Sequence, residues 1–261
     1  MSRMPSNLAG EIRMKQGISV MAITALTLVS AAQAAEISVM SGGAVEPGLK
    51  AAAAAFEKQS GHKVAITFNT TPQMRKRVAA GDTFDVVIAP PAAVKEFAKA
   101  GKVAEGGVDI GRVGSGVAVR PGAPVPAIAS GEDIRKAVLE AESVVFNRAS
   151  TGIYFENLLK KMGIWEQVEP KAVRYATGAE VMKHALKGKG KEVAFGPITE
   201  ILLEKDHGLV YVGPLPPEVQ NYTSYIAVPM SAGTQQALAA EFVKFLGGPA
   251  GKPLFVAAGI E

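Results

Sequence analysis

The 261-residue sequence contains no cysteine. A disulfide framework, a thiolate nucleophile and cysteine ligation of a metal are therefore excluded, and the fold must rest on its core alone. The thiol that lipid attachment at a processing site needs is missing too. Histidine is almost as scarce: His62, His184 and His207 lie far apart and form no H-x-H or H-x-x-x-H pair, so neither a zinc site nor any other protein-ligated metal is expected. There is no G-x-S-x-G elbow, because Gly114-Ser115-Gly116 lacks the outer glycines. Gly188-Lys189-Gly190-Lys191 runs into Glu192 where a phosphate loop needs serine or threonine. The acidic pair Glu204 and Asp206 reads as surface at a helix end. With these signatures missing, no cofactor is expected and the chain reads as a non-enzyme. The one basic cluster, Lys183-His184 through Lys191, has no interleaved aromatics, and a net charge of +4 is too mild to attract nucleic acid. It reads as a solvated helix C-terminal end.

What is present begins at the N-terminus. Arg3, Arg13 and Lys15 precede a charge-free, largely apolar run from Ile18 to Val29, followed by Ala31-Ala32-Gln33-Ala34-Ala35. A basic region, an apolar core and an A-x-A site predict a cleaved secretory signal peptide over 1–34, and the run falls short of the ~20 residues that span a bilayer. The mature chain is expected in the periplasm, free of the membrane. Loss of Arg3, Arg13, Lys15 and Glu11 takes the net charge from +4 to +2. Hydrophobic residues at 48% and charged residues at 20% are globular proportions, so a packed core in one large or two modest domains is expected.

Periodicity predicts alternating strands and helices. Ile37–Met40, Val64–Phe68 and Val86–Ala89 read as strands; Leu49, Ala52, Ala53 and Phe56, then Met74 and Val78, then Val94, Phe97 and Ala98 mark helices between and after them. This order predicts a parallel sheet covered on both faces. Further along, Val117–Val119, Val144–Phe146, Ala172–Tyr175, Val193–Phe195, Val210–Val212 and Tyr225–Val228 read as strands. Helices are expected around Ile134–Val138, along Phe155, Leu158, Leu159 and Met162, through Val181 and Ala185, and along Leu238, Phe242 and Phe245. Gly213-Pro214-Leu215-Pro216-Pro217 reads as a rigid connector.

Three stretches then carry a resemblance across the mature chain. Ser41-Gly42-Gly43-Ala44, Phe68-Asn69-Thr70-Thr71 and Ala80-Gly81-Asp82-Thr83-Phe84-Asp85 through Ala89 resemble, in order and spacing, the periplasmic molybdate-binding proteins of ABC importers. Thr151-Gly152-Ile153-Tyr154 with Leu158 through Trp165, and the closing Phe245–Ala250 and Ala257–Ile260, are similar to the same family. The resemblance implies a two-lobed α/β fold, each lobe a mainly parallel sheet flanked by helices, with two hinge crossings near Val117–Val119 and Tyr225–Val228. It implies a first lobe of 35–113 plus 223–261, a second of 114–222, an anion in the cleft, a membrane ABC permease as partner, and a monomer.

Candidate ligand residues lie where strands give way to helices. Thr71-Pro72 opens a helix whose N-terminus favours an anion, although Thr71 as a plain N-cap is the simpler reading, leaving Thr70 as the free hydroxyl. Ser41, Gly42 and Gly43 form a turn where amides approach a bound group, or a plain tight turn. Ser150, Thr151 and Gly152 open a second helix in the same manner, so helix N-termini face the cleft from both sides. Arg148 suits a carboxylate but equally suits the surface. Val181 matches a position that supplies a backbone amide in the family, or serves the core, or both. Ala44 and Phe195 stand where the family has hydroxyl-bearing residues, each absence costing about 1–3 kcal/mol for an unpaired ligand oxygen. Ser41, Tyr154 or Tyr175 are the substitutes. Molybdate or tungstate is the expected ligand class; another tetrahedral oxyanion, a small organic carboxylate, an anion sensor and an exported enzyme are the alternatives.

Overall fold

The computed structural model describes residues 34–261. The predicted signal peptide and its basic residues lie outside the described residues. Strands β1 (Glu36–Ser41), β2 (Lys63–Phe68) and β3 (Val86–Ala89) alternate with helices α1 (Glu46–Ser60), α2 (Thr71–Ala79) and α3 (Pro91–Lys99). A long strand β4 (Val108–Val119) follows, then α4 (Gly131–Glu140), β5 (Ser143–Asn147), α5 (Ser150–Lys161), α6 (Trp165–Val168), β6 (Ala172–Tyr175), α7 (Gly178–Lys187), β7 (Glu192–Pro197) and α8 (Ile198–Leu203). The chain closes with β8 (Val210–Pro214), β9 (Tyr222–Pro229), α9 (Gln236–Gly247) and α10 (Lys252–Ala257).

The strands form one sheet in the order β2-β1-β3-β9-β4-β7-β5-β6, with β8 beside β4. β2, β1 and β3 are parallel, and so are β7, β5 and β6. β9 and β4 run antiparallel between these two groups. The molecule is thus a two-lobed α/β fold with two crossings, as the resemblance implies. The crossings are longer than the valine runs that announce them. β4 pairs with β9 from Val108 to Gly114, then with β7 from Ser115 to Val119. Gly111, Gly114, Ser115 and Gly116 interrupt its apolar pattern, which is why only its last three residues read as a strand.

Successive strand residues point to opposite faces, and the cores follow that rule. Ile37, Val39, Val86 and Ile88 enter one cluster with Leu49, Phe56, Phe242 and Phe255, while Met40, Val87 and Ala89 enter another with Met74 and Phe97. In the second group Val144, Phe146, Val193 and Phe195 pack with Phe155 and Leu159, while Val145 and Ala194 pack with Val181, Met182 and Ile201. Each parallel group is therefore covered on both faces, from residues 37–113 and 225–260 on one side and 117–215 on the other. Phe56 meets Phe242 edge to face at 5.0 Å, so the return helix α9 is sealed onto α1. Helix ends follow local chemistry: α1 stops at Gly61 with φ of 76°, and α4 and α7 start at reciprocal caps, Ser130 with Asp133 and Thr177 with Glu180. No described helix is long and apolar enough to cross a membrane.

Candidate functional site

Parallel strands set the site. β1 and β2 end at Ser41 and Phe68, and β5, β6 and β7 end at Asn147, Tyr175 and Pro197. The loops leaving those carboxyl ends are where open α/β sheets bind ligands. In each case a helix N-terminus follows within a few residues, presenting amides that have no intrahelical acceptor.

Across the cleft, Thr71 Oγ1 on α2 and Ser150 Oγ on α5 are 3.4 Å apart. Thr71 is therefore the hydroxyl of the pair that faces across to α5, and the roles of the two threonines are the reverse of the sequence expectation. Thr70 is the N-cap: its amide and hydroxyl both donate to Gln73 Oε1, at 2.7 and 3.0 Å, in a capping box. Gln73 three residues on was the signal for that assignment. Ser150 and Thr151 do open α5, Thr151 being buried. The amide of Gly152 is committed to Asn147 Oδ1 at 3.0 Å, and a Cβ there would overlap the Asn147 carbonyl, so glycine serves packing.

The first loop is likewise partly spoken for. Ser41 is fully buried with its hydroxyl donating to Gly42 O at 3.2 Å, and the Gly42 amide donates to Ile88 O at 3.0 Å. Gly43 opens the short turn that leads into α1.

Four residues weighed as contributors are committed elsewhere. The Phe195 ring is buried and stacks on Phe155 at 3.7 Å inside the core. Tyr154 OH donates to Val219 O at 2.8 Å, and Tyr175 OH is paired with His184 Nδ1 at 2.9 Å. The Val181 amide makes the helical bond to Thr177 O at 3.4 Å and its side chain is fully buried. The N-terminal amides of α7 are those of Gly178 and Ala179, one turn earlier, which have no acceptor among the described residues. Arg148 is exposed, with its amide on Tyr175 O at 2.8 Å and its guanidinium in no ion pair among the described residues.

The residue that sequence reasoning missed is Glu200, in the first turn of α8. The helix is anchored to the first loop by Thr199, whose hydroxyl donates to Ala44 O at 2.6 Å across 155 residues of chain. Glu200 then projects between two glycines from opposite sides of the cleft. A Cβ at Gly43 would stand 2.8 Å from Glu200 Oε1, and one at Gly178 would overlap Oε2. As a whole residue Glu200 is half-buried, but its Oε2 is shielded from solvent and has no hydrogen-bond partner. Burial, then the nearby Glu46 carboxylate, push its carboxyl up to about 7. The Tyr225 phenol, buried against Gly42 on β9, is raised well above its ordinary value by burial and then by Glu200. Ile198, which starts α8, packs against Gly114 and Gly116 of the crossing strand. The sequence signal for this element was slight: a carboxylate in the apolar hexapeptide Ile198–Leu203 directly after Gly196-Pro197.

The site thus offers amides and hydroxyls from helix N-termini on both sides, and one enclosed carboxyl. Such donors bind anions without a lysine or arginine.

A family model described as bacterial extracellular solute-binding protein matches residues 37–261. A curated relative, an aconitate isomerase of a Pseudomonas species, is 26% identical over 226 residues, covering 84% of this chain and 85% of its own. The periplasmic molybdate-binding protein of Azotobacter vinelandii aligns with a TM-score of 0.73 at 16% identity, over 86% of this chain and 98% of that one. The sulfate-binding protein of Mycobacterium tuberculosis aligns with a TM-score of 0.70 at 17% identity, over 87% and 86%. These structures share the fold and differ in the ligands they are named for. With the family model spanning the described sheet from β1 to the last residue, the chain belongs to the bacterial extracellular solute-binding proteins.

Proposed function

We propose that this solute-binding protein of the ABC-importer type is exported by its signal peptide and captures a small oxyanion, of the molybdate and tungstate class, between two closing lobes. The lobes are taken as 35–113 with 223–261, and 114–222. The observation that carries the reading is the Thr71–Ser150 pair, two hydroxyls from facing helix N-termini 3.4 Å apart. Gly43, Gly178 and Ala179 add backbone amides to the same cleft. An anion held from both sides binds the closed form better than the open one, and shifts the population by that difference in affinity. The closed pair of lobe surfaces is then what a membrane permease meets, and a monomer suffices for it.

Thermal unfolding of the mature chain against molybdate, tungstate, sulfate and aconitate tests this. Stabilisation by about 2.7 kcal/mol at a hundredfold excess over Kd is expected for molybdate or tungstate. No shift with either removes the oxyanion reading.

A second reading has two observations in its favour: the enclosed Glu200 carboxyl and the aconitate isomerase relative. Here the same donors hold an organic polycarboxylate, for which the unpaired Arg148 stands close to Ser150 in sequence. Glu200 as carboxylate takes a proton from a ligand carbon next to the double bond and returns it to another, shifting the double bond with no net oxidation. Incubation with aconitate, followed by separation of its cis and trans forms, decides it. Interconversion lost in Glu200→Gln supports it, and a constant isomer ratio excludes it.

A further inference from the structure

We infer that anion capture in this cleft is coupled to protonation of Glu200, so that the site takes up one proton together with its anion. The inference rests on the reading that a small anion enters here, and adds what that anion must share the site with. Glu200 is placed between the turn at Gly43 and the N-terminus of α7 at Gly178, at positions where any side chain other than hydrogen would displace it. Its carboxyl occupies space that two glycines on facing elements keep open. An enclosed carboxyl with an unpartnered oxygen has a lone donor to give if it is protonated, and a bare charge if it is not.

The groups facing it offer no cation. On α1 the nearest is Glu46, whose own partner is Lys50 at 2.5 Å. On β9 it is the buried phenol of Tyr225, and on β8 Tyr211 shares with Ile198 the space beside Gly116, its phenol also raised by burial. On α7 the carboxylate of Glu180 is held by the Thr177 amide and hydroxyl, both at 2.9 Å. Among the described residues no lysine, arginine or histidine pairs with Glu200. A dianion arriving beside an ionised Glu200 adds like charge to an enclosed space. Beside a protonated Glu200 it gains a hydrogen bond from the carboxyl. The raised affinity of this carboxyl for protons agrees with that geometry. Specificity follows: the cleft favours an anion with an oxygen free to accept, and disfavours one that must itself donate at that position.

The experiment has two arms. In the first, molybdate and aconitate are titrated calorimetrically into the mature protein at pH 8, in two buffers of different ionisation enthalpy. Uptake of about one proton is expected, with affinity falling about tenfold per pH unit above 7. Glu200→Gln, which keeps a neutral donor, is expected to bind at pH 8 as the wild type does at pH 6, with no proton uptake. Binding without proton uptake by the wild type overturns the inference. The second arm needs no ligand: small-angle scattering of the wild type from pH 5.5 to 8.5 is expected to show the cleft opening as Glu200 ionises, and Glu200→Gln to remain closed. An identical pH response in the two proteins overturns the inference even if neither probe binds, and that lack of binding counts separately against the functional reading.

Discussion

Replacing Glu200 by glutamine is expected to stabilise the protein in neutral and alkaline solution and to change little in acid. The size follows from the enclosure. An ordinary glutamate titrates near 4.5 and this one near 7, so its protonation is favoured by the folded state. A raised carboxyl contributes stability that is complete below about 4.5 and is lost as pH rises through about 7. At ~1.36 kcal/mol per unit, the whole shift amounts to about 3 kcal/mol, an upper limit because an opening cleft hydrates the charge. Glutamine keeps the shape and removes the titration. The assay is urea unfolding of both proteins at pH 5 and pH 8, since other carboxylates titrate alike in the two and cancel in the difference. The gap between mutant and wild type is expected to widen by about 2–3 kcal/mol at the higher pH, or some 4–12 °C in Tm for a chain of this size. A gap of equal size at both pH values would refute the reasoning and mean that Glu200 is hydrated in solution.

Thr71→Ala and Ser150→Ala are each expected to weaken binding of the proposed anion about tenfold, and together to lose less than the sum, because hydroxyls 3.4 Å apart are close enough to serve one ligand oxygen; additive losses in calorimetry would contradict this. Phe195→Tyr, which restores a family hydroxyl, is expected to leave affinity unchanged and lower stability by about 1–3 kcal/mol, since the ring is buried in an apolar cluster; improved molybdate binding would contradict this. Asp85 is buried and accepts from the Ser38 amide and hydroxyl and from the Gln235 amide, all at 2.8 Å. Burial alone would raise its carboxyl, but these bonds outweigh it and the net shift is downward, so its contribution is present above the usual carboxylate range and fades in acid. Asp85→Ala is expected to cost about 2–4 kcal/mol at pH 7 and less at pH 3, read from denaturant midpoints.

The strands were legible because runs such as Val86–Ile88 and Val144–Phe146 are β-branched or aromatic and lie close to turn residues. The alternation of strand and helix then located the site loops, since parallel strands place their carboxyl ends together. Three things were not legible, or only in part. Which of two adjacent threonines caps α2 depends on a reciprocal bond from Gln73, and helical periodicity does not register it. Glu200 was invisible because a glutamate in sequence carries no mark of enclosure: its partners Gly43 and Gly178 are 157 and 22 positions away. The crossing strand β4 was read only at Val117–Val119, its glycines hiding a first part that exists through pairing with β9.

That strand does not stand alone. Because β4 and β9 are hydrogen-bonded to each other from Val108 to Gly114, the two crossing strands form one two-stranded ribbon and are not two separate strings of chain. Ile198 covers Gly114 and Gly116 of β4 from the helix that also carries Glu200, so the crossing strand and the enclosed carboxyl share one neighbour. Bulk added at Gly116 would therefore crowd Ile198, and with it the short helix on which Glu200 stands.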